Sequence, residues 1–578
     1  MNFIEREYQT NAETGIFKAW ETNQSTLLEL ATGLGKTHVA CNVIKKMFPK
    51  RALFLCHQDE LVVQAYEAIS KSAGFNVDVE QAGLYASTNH IHRAQVVVST
   101  IQSQNSGPKD AKRYKRFKPE DFGLLIVDEV HHGTADSWKE VIRYYLQNPN
   151  CKMLGLSATP KRGDGKALGD IIESVAFQYG IREGILDGWL VNIGQQYVVV
   201  NGLDFSHIET VAGDFNKAQL SELVEREENV QGLCQPTLEA IHGLEPKALD
   251  NIPVDQWREY LKKNIRTESG KPRRTLVFTV SVAQAEMCAS VFGRAMDGVE
   301  WVCGATNKDD RKEIRERFFR GETHVVANCG VYLEGYNNPF VELISVSRPT
   351  KSLNLYTQML GRGTRTLPGV VDGIPTADER KSAIKQSTKK LLRVLDFAGN
   401  SGRHKLVSSY DVLGGHTSDE VKERAKENAI RDGTVKMVTI SISNAEKELE
   451  KKKREEEERR RKAREVEKAR ALARSKFSMK DVSAFESNHG AIPLHGRTSK
   501  DGKAFTEPQA RALRLGGYDP EKVTYGYGKV LLGKLPPSEP QLNCLHKHGY
   551  DTTGWTRAQC ARAIQALKDN GWKKPVTK

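Results

Sequence analysis

Two short blocks carry side chains suited to phosphate chemistry. Ala31-Thr32-Gly33-Leu34-Gly35-Lys36-Thr37 follows the apolar run Ser25–Leu30, and Asp128-Glu129-Val130-His131 follows Leu124–Val127. Glycines let a backbone bend until its N–H groups surround phosphates. Lys36 adds a point charge for the β- and γ-phosphates, and Thr37 adds a hydroxyl for Mg²⁺. A carboxylate at the end of a buried strand, here Asp128, can hold the same ion. The loop lacks the leading glycine of the longer G-x-x-x-x-G-K-[ST] form, because Leu30 stands there. Acidic pairs at strand ends often only cap helices. A phosphate loop followed by an apolar strand ending in Asp-Glu is far more specific than either block alone.

Other blocks extend the pattern. Arg6-Glu7-Tyr8-Gln9 precedes the loop, and the Gln9 amide can read adenine by its edge. Ser157-Ala158-Thr159-Pro160 follows an apolar strand, where its hydroxyls suit relaying the state of a nucleotide site. Glu334-Gly335-Tyr336-Asn337 follows His324–Ala327. Gln358, Arg362 and Arg365 share one segment. An isolated arginine pair is more often a salt bridge. In this company it suits an ATP site completed from a second domain, with an arginine finger supplied in cis.

These residues need a scaffold. Residues 1–185 alternate short β-rich runs with helical patterns, which reads as a parallel sheet covered by helices. Strands are expected at Thr26–Leu30, Ala52–Cys56, Gln95–Thr100, Leu124–Asp128 and Met153–Ser157. Parallel sheets bind ligands at the carboxyl ends of their strands, where both phosphate blocks lie. A second alternating region offers Thr275–Thr279, Val299–Cys303, His324–Ala327, Leu343–Val346 and Leu392–Asp396. Residues 205–265 read as mostly helical. A capping box at Ser443-Asn444-Ala445-Glu446 predicts the start of a charged helix running to Arg474. Glu455–Glu458 precede Arg459–Arg461, so opposite charges meet one turn apart, but no apolar seam for a coiled coil runs through it. Thr506-Glu507-Pro508-Gln509 through Asp519 recurs as Ser538-Glu539-Pro540-Gln541 through Asp551. Two similar helical units with a modest shared core are expected there.

Composition bounds the rest. The chain has 578 residues and calls for several domains. No apolar run approaches the ~20 residues of a membrane span, and the N-terminus has no apolar signal core. The expected location is the cytoplasm, in association with the nucleoid. Nine Cys occur without a C-x-x-C pair, which argues against a zinc ribbon or a disulfide framework. Cys41, Cys56 and Cys303 sit in apolar surroundings. A net charge of +13 points to a polyanionic partner.

In this order, the blocks over about residues 3–405 resemble the superfamily 2 helicases. They look most like the DEAD/DEAH-box group containing XPB, RadD and restriction-enzyme motors. Ile185–Leu190 and Asp396–His404 are similar to segments of that group, including many phage-encoded members, for which the host cytoplasm is the implied location. Two departures stand out: Asn337 where the group usually has Asp, and no Cys-rich zinc element. The resemblance implies an α/β fold of two tandem RecA-like parallel-sheet domains; residues 415–578 lie outside it and are expected, from their own pattern, to follow as a charged helix and a small helical C-terminal domain. Residues 1–185 would form domain 1, 186–410 domain 2, 411–477 a linker with the charged helix, and 478–578 the two-unit accessory domain.

ATP and Mg²⁺ are the implied cofactors. Gln9, Thr32, Gly33, Gly35, Lys36, Thr37 and Gln358 would bind the nucleotide, with Thr37 and Asp128 on the metal. Glu129 would activate water, Arg365 would be the finger, with Arg362 helping. His131, Ser157, Thr159 and Gly335 would couple the ATP site to the second domain. Phe54–Gln64 and Val96–Ser103 would face the nucleic-acid backbone. The implied function is an ATP-dependent helicase or translocase on single-stranded, duplex or forked DNA, in replication, recombination or repair. An RNA helicase, the motor of a restriction-type nuclease and a non-catalytic scaffold are the alternatives. The C-terminal module would bind a replication or repair protein, or nucleic acid.

Overall fold

The computed structural model describes residues 5–89, 92–158, 168–211, 213–333, 336–397, 407–414, 417–432, 436–474, 505–521, 523 and 525–573. The chain separates into two units, Met1–Arg460 and Arg461–Lys578.

The first sheet contains β1 (Ser25–Leu30), β2 (Ala52–Cys56), β3 (Val77–Glu80), β4 (Val96–Thr100), β5 (Leu124–Val127), β6 (Lys152–Ser157) and β7 (Ser174–Tyr179). Their order is β3-β4-β2-β5-β6-β1-β7, and every pair is parallel. β2, β4 and β5 are buried along their whole length, so they read as unbroken apolar runs. β1 and β5 flank β6, and this brings their carboxyl ends, the glycine loop and Asp128, to one side of the sheet.

The second sheet contains β8 (Asn192–Val198), then, after a small hairpin of β9 (Thr210–Val211) and β10 (Asp214–Phe215), β11 (Thr275–Phe278), β12 (Val299–Cys303), β13 (Val325–Cys329), β14 (Leu343–Val346), β15 (Leu391–Phe397) and β16 (Lys436–Met437). The order is β12-β13-β11-β14-β15-β8-β16, parallel except for β16. Helices Lys217–Val224, Glu227–His242 and Trp257–Lys263 fill the segment before β11. Their Leu233, Leu238 and Trp257 pack with Val277 and Phe292 of the second domain.

All ten expected strands are present, with small shifts at their ends. The unexpected ones have mixed sequences for identifiable reasons. β3 and β7 are half-exposed sheet edges. β8 is interior but carries Gln195, whose Nε2 donates to Asp396 Oδ2 at 2.8 Å and whose Oε1 accepts from Ser409 N at 3.0 Å. A buried amide with partners of this kind hides a strand from a hydrophobic pattern.

Three expectations need correction. The charged helix starts at Val438, not at the Ser443–Glu446 capping box, which lies inside it. β16 pairs with β8 and delivers the chain to Val438, and Val438, Ile442 and Ala445 then bury their side chains in the core. Sheet pairing and packing set this start, overriding a local cap signal. For the same reason residues 411–445 are not a free linker: Leu413, Val421, Ala425 and Ala429 belong to the same core. The two C-terminal units also differ from expectation. Leu513, Leu531 and Leu532 form one small cluster, and Leu545, Cys560 and Leu567 form another. Each unit therefore fills its own centre, with a helix pair of its own: Glu507–Leu515 with Tyr525–Lys534, and Glu539–Lys547 with Arg557–Asp569. Among the described residues no helix is long and apolar enough to cross a membrane.

Candidate nucleotide site and cleft

The glycine loop joins β1 to the helix Lys36–Met47. Gly33 and Gly35 have φ of +91° and +88°, a region that side chains rarely adopt. Space imposes the same choice. A β-carbon on Gly35 would lie 2.6 Å from Gln9 Nε2, and one on Gly33 would lie 2.7 Å from Arg365 Cγ. Two residues remote in sequence thus press on the loop, Gln9 from the first domain and Arg365 from the second. A β-carbon on Gly361 would lie 2.8 Å from Thr32 Cβ, so the second domain touches the loop there as well. Gln9 is buried, with Nε2 donating to the Leu34 carbonyl at 3.1 Å and Oε1 accepting the Arg6 N–H at 3.1 Å. Its amide is turned to the loop backbone.

At the end of β5, Asp128 Oδ1 accepts the Glu129 N–H at 3.0 Å. Glu129 has φ 47° and ψ 51°, a left-handed conformation uncommon outside glycine and typical of functional sites. Its Oε1 lies 2.7 Å from Lys36 Nζ and its Oε2 3.3 Å from His131 Nδ1. Burial pushes this carboxyl up. The Lys36 charge and the His131 hydrogen bond outweigh burial and hold it well below the usual carboxylate range. His131 Nδ1 is also 3.4 Å from Ser157 Oγ, at the end of β6.

Arg365 follows the helix Leu353–Gly361, on which Gln358 is buried. The backbone is held on both sides. Val191 N–H donates to the Thr364 carbonyl at 2.8 Å, and Lys389 Nζ donates to the carbonyls of Arg365 and Pro339, both at 2.7 Å. Among the described residues, the buried Arg365 Nη1 has no hydrogen-bond partner. Burial and the neighbouring Arg362 push this guanidinium down to about 9. Arg362 is used differently. Its Nε donates to the Leu333 carbonyl at 2.9 Å and its Nη1 to that of Tyr336 at 2.8 Å. It braces the chain around Tyr336, whereas the Arg365 side chain lies against the glycine loop. Thr159 and Gly335 lie outside the described residues.

An orphaned buried donor beside a glycine loop is a place for an anion. The donor set fits a nucleoside triphosphate with Mg²⁺: Lys36 and the loop for phosphates, Thr37 and Asp128 for the metal, Arg365 for the terminal phosphoryl.

Sequence reasoning missed Lys389. It is fully buried, although Lys389-Lys390 reads as a surface pair. Burial pushes its ammonium down to about 7 against the pull of Glu342, with Arg365 adding to the push. Replacing it with methionine would leave the Arg365 carbonyl unheld. An ångström-scale displacement of a catalytic group costs on the order of 10²-fold in rate. Lys389→Met should therefore lower kcat about 10- to 100-fold with little change in KM for ATP. In an Arg365→Ala background the same substitution should cost nothing further. Steady-state ATPase assays on the four proteins check this.

A second missed cluster joins the domains. Trp189 lies between the guanidinium groups of Arg6 and Arg380, at 4.5 and 3.8 Å from the ring centroid. Tyr8 stacks on Tyr179 at 4.7 Å. Mixed Arg–aromatic packing has no periodicity by which it could be found.

A cleft of about 1840 Å³ runs from Thr37 between the two sheet domains. Gln58, Gln64, Thr100, Gln102 and Ser103 line it, from the two segments expected to face a nucleic-acid backbone. Lys308 pairs with Asp59 at 2.5 Å and Arg311 with Glu60 at 3.2 Å, bridging the domains.

The family described as "Type III restriction enzyme, res subunit" matches residues 2–162, and "Helicase conserved C-terminal domain" matches residues 256–366. IRC3 of Saccharomyces cerevisiae, whose name describes an ATP-dependent helicase, is 28% identical over 374 residues, covering 62% of this chain and 49% of that one. A type I restriction enzyme EcoAI endonuclease subunit of Escherichia coli is 31% identical over 201 residues, 32% of this chain and 23% of that one. The DNA 3'-5' translocase XPB2 of Sulfurisphaera tokodaii is 24% identical over 377 residues, 62% of this chain and 77% of that one. The chain spans about half the length of the IRC3 relatives it matches.

Proposed function

The chain belongs to the superfamily 2 helicases, in the group of restriction-enzyme motors and XPB-like translocases, and on that premise we propose that it is an ATP-driven DNA helicase or translocase. One observation carries the proposal. Lys36 and Glu129 from one domain and Arg365 from the other converge on a single glycine loop, and among the described residues the buried Arg365 Nη1 has no partner.

The resting ion pair dictates the order of events. Lys36 must leave Glu129 to reach phosphate oxygens, which frees a carboxylate already held ionised. Glu129 then orients the attacking water and accepts its proton, and Arg365 meets the charge that develops on the phosphoryl group. Bound between Thr37 and Asp128, Mg²⁺ would neutralise phosphate charge and align the oxygens. His131 contacts both Glu129 and Ser157, so it can report whether the carboxylate is engaged. Because Arg365 and the loop lie on opposite domains, binding tightens the cleft and hydrolysis loosens it. A strand lying across both domains is moved by that cycle. Replication, recombination or repair is the setting that suits such a motor, in the cytoplasm. The C-terminal units would contact a partner protein or nucleic acid.

Binding should be carried mainly by phosphates, given the charge of +13. Log affinity should fall linearly with log salt, with a slope of about 0.9 per neutralised duplex phosphate. Titration of single-stranded, duplex and forked DNA and of RNA between 50 and 200 mM salt (about the range over which such contacts weaken) tests this. Salt-independent binding, or tight binding to RNA alone, would count against it.

A further inference from the structure

The loop after β3 carries an aromatic side chain that the motor cycle leaves without a role. Gln81 and Leu84 exchange backbone hydrogen bonds at 3.1 and 2.8 Å, closing a tight turn with Ala82 at φ +48°. Its tip exposes Leu84 and Tyr85, at 60% and 64%. Neither belongs to any of the buried apolar clusters. A solvent-facing pair of this kind would ordinarily be mobile, but this one is built in. Glu80 is fully buried and accepts from Ala86 N and Arg116 Nη1, both at 2.6 Å, and from Arg113 Nε. Arg113 in turn donates to the carbonyls of Ala82 and Leu84. The guanidinium carbons of Arg113 and Arg116 lie 3.9 and 4.8 Å from the centroid of the Tyr85 ring. Both arginines bond the same oxygen of Glu80. Tyr85 and Arg113 line the cleft.

We propose that Tyr85 is a stacking platform for a nucleobase of an unpaired DNA strand held in the cleft. The inference rests on the motor reading above and deepens it. A flat ring, held by two guanidinium groups and exposed in the wall of the cleft, offers what any base can use, because every base has a π-face. Paired bases in a duplex are already stacked and cannot reach it. Two guanidinium groups against one carboxylate leave positive charge under the ring. Residues 109–118 also hold Lys109, Lys115 and Lys118 exposed, which suits the backbone of the same strand. Phosphate contacts alone would not require a rigid exposed aromatic.

The test compares a single-stranded DNA oligonucleotide with one of equal length made of abasic residues, on the full chain without nucleotide. The wild type should bind the base-containing strand about 5- to 100-fold more tightly, the range that one base stack contributes. Tyr85→Ala should lose that preference and leave affinity for the abasic strand and the salt slope unchanged. Tyr85→Phe, which keeps the ring, should retain the preference. If Tyr85→Ala keeps the preference, or if its salt slope falls by about 0.7, the value of one lost single-strand phosphate contact, the inference is overturned. Equal binding of both strands by the wild type would overturn the stacking role alone. Binding of neither would overturn the motor reading with it.

Discussion

Arg365→Ala should slow nucleic-acid-stimulated ATP turnover by about 10³- to 10⁵-fold, the range that arginine fingers contribute, while the chain still binds ATP. The structure gives the reason for each half of that result. The Arg365 side chain lies against Gly33, and among the described residues its Nη1 has no hydrogen-bond partner. A buried donor so placed suits a bond to a phosphoryl group. On the proposed reading, ATP is held chiefly by Lys36, Thr37 and the loop, which lie in the first domain and are untouched by the substitution. Lysine at position 365 should rescue poorly, because an ammonium cannot present the planar fork. Full activity in Arg365→Lys would move the role elsewhere, and Arg362 is a weak candidate given its bonds to the Leu333 and Tyr336 carbonyls. Rapid-quench measurement of turnover together with equilibrium nucleotide binding separates the two effects.

Glu129→Gln should abolish turnover and preserve, or slightly raise, affinity for ATP. The amide is nearly isosteric but cannot take a proton from water. The substitution also removes the ion pair that Lys36 must break, since Lys36 now sits 2.7 Å from the carboxylate. The expected loss in rate is on the order of 10²–10⁴-fold, as for removal of a general base. ATP trapped on the variant after rapid gel filtration, without conversion to ADP, would show it. Hydrolysis at the wild-type rate would remove Glu129 from the mechanism. Lys36→Ala differs in kind, because it should weaken binding as well as turnover.

Much of this site can be read from sequence, because its parts are local. Gly33, Gly35, Lys36 and Thr37 fall within one short loop, and a strained turn between an apolar strand and a helix has few other uses. Asp128 and Glu129 end a strand that is unbroken Leu-Leu-Ile-Val. Arg365 is harder: its residue type and segment are visible, but the division of labour with Arg362 depends on which carbonyls lie nearby. Lys389 and Tyr85 are invisible for opposite reasons. A lysine is expected at the surface and an aromatic in the core, and here each is found in the other's place. The fold shows the same contrast. Interior strands such as β2 and β5 announce themselves by continuous burial, whereas β8 hides behind Gln195 and its partners. A capping box at Ser443 is a local signal, whereas the β8–β16 pairing that sets the start of the charged helix joins segments far apart in the sequence.

ATP hydrolysis at the junction of the two sheet domains should answer to nucleic acid lying in the cleft between them. The most direct test is steady-state ATP turnover of the full chain, measured alone and with saturating single-stranded, duplex and forked DNA and RNA in parallel. Turnover should be slow alone and rise markedly with at least one DNA, and the rise should be lost in Arg365→Ala. Turnover indifferent to every nucleic acid, or stimulated equally in Arg365→Ala, would contradict it.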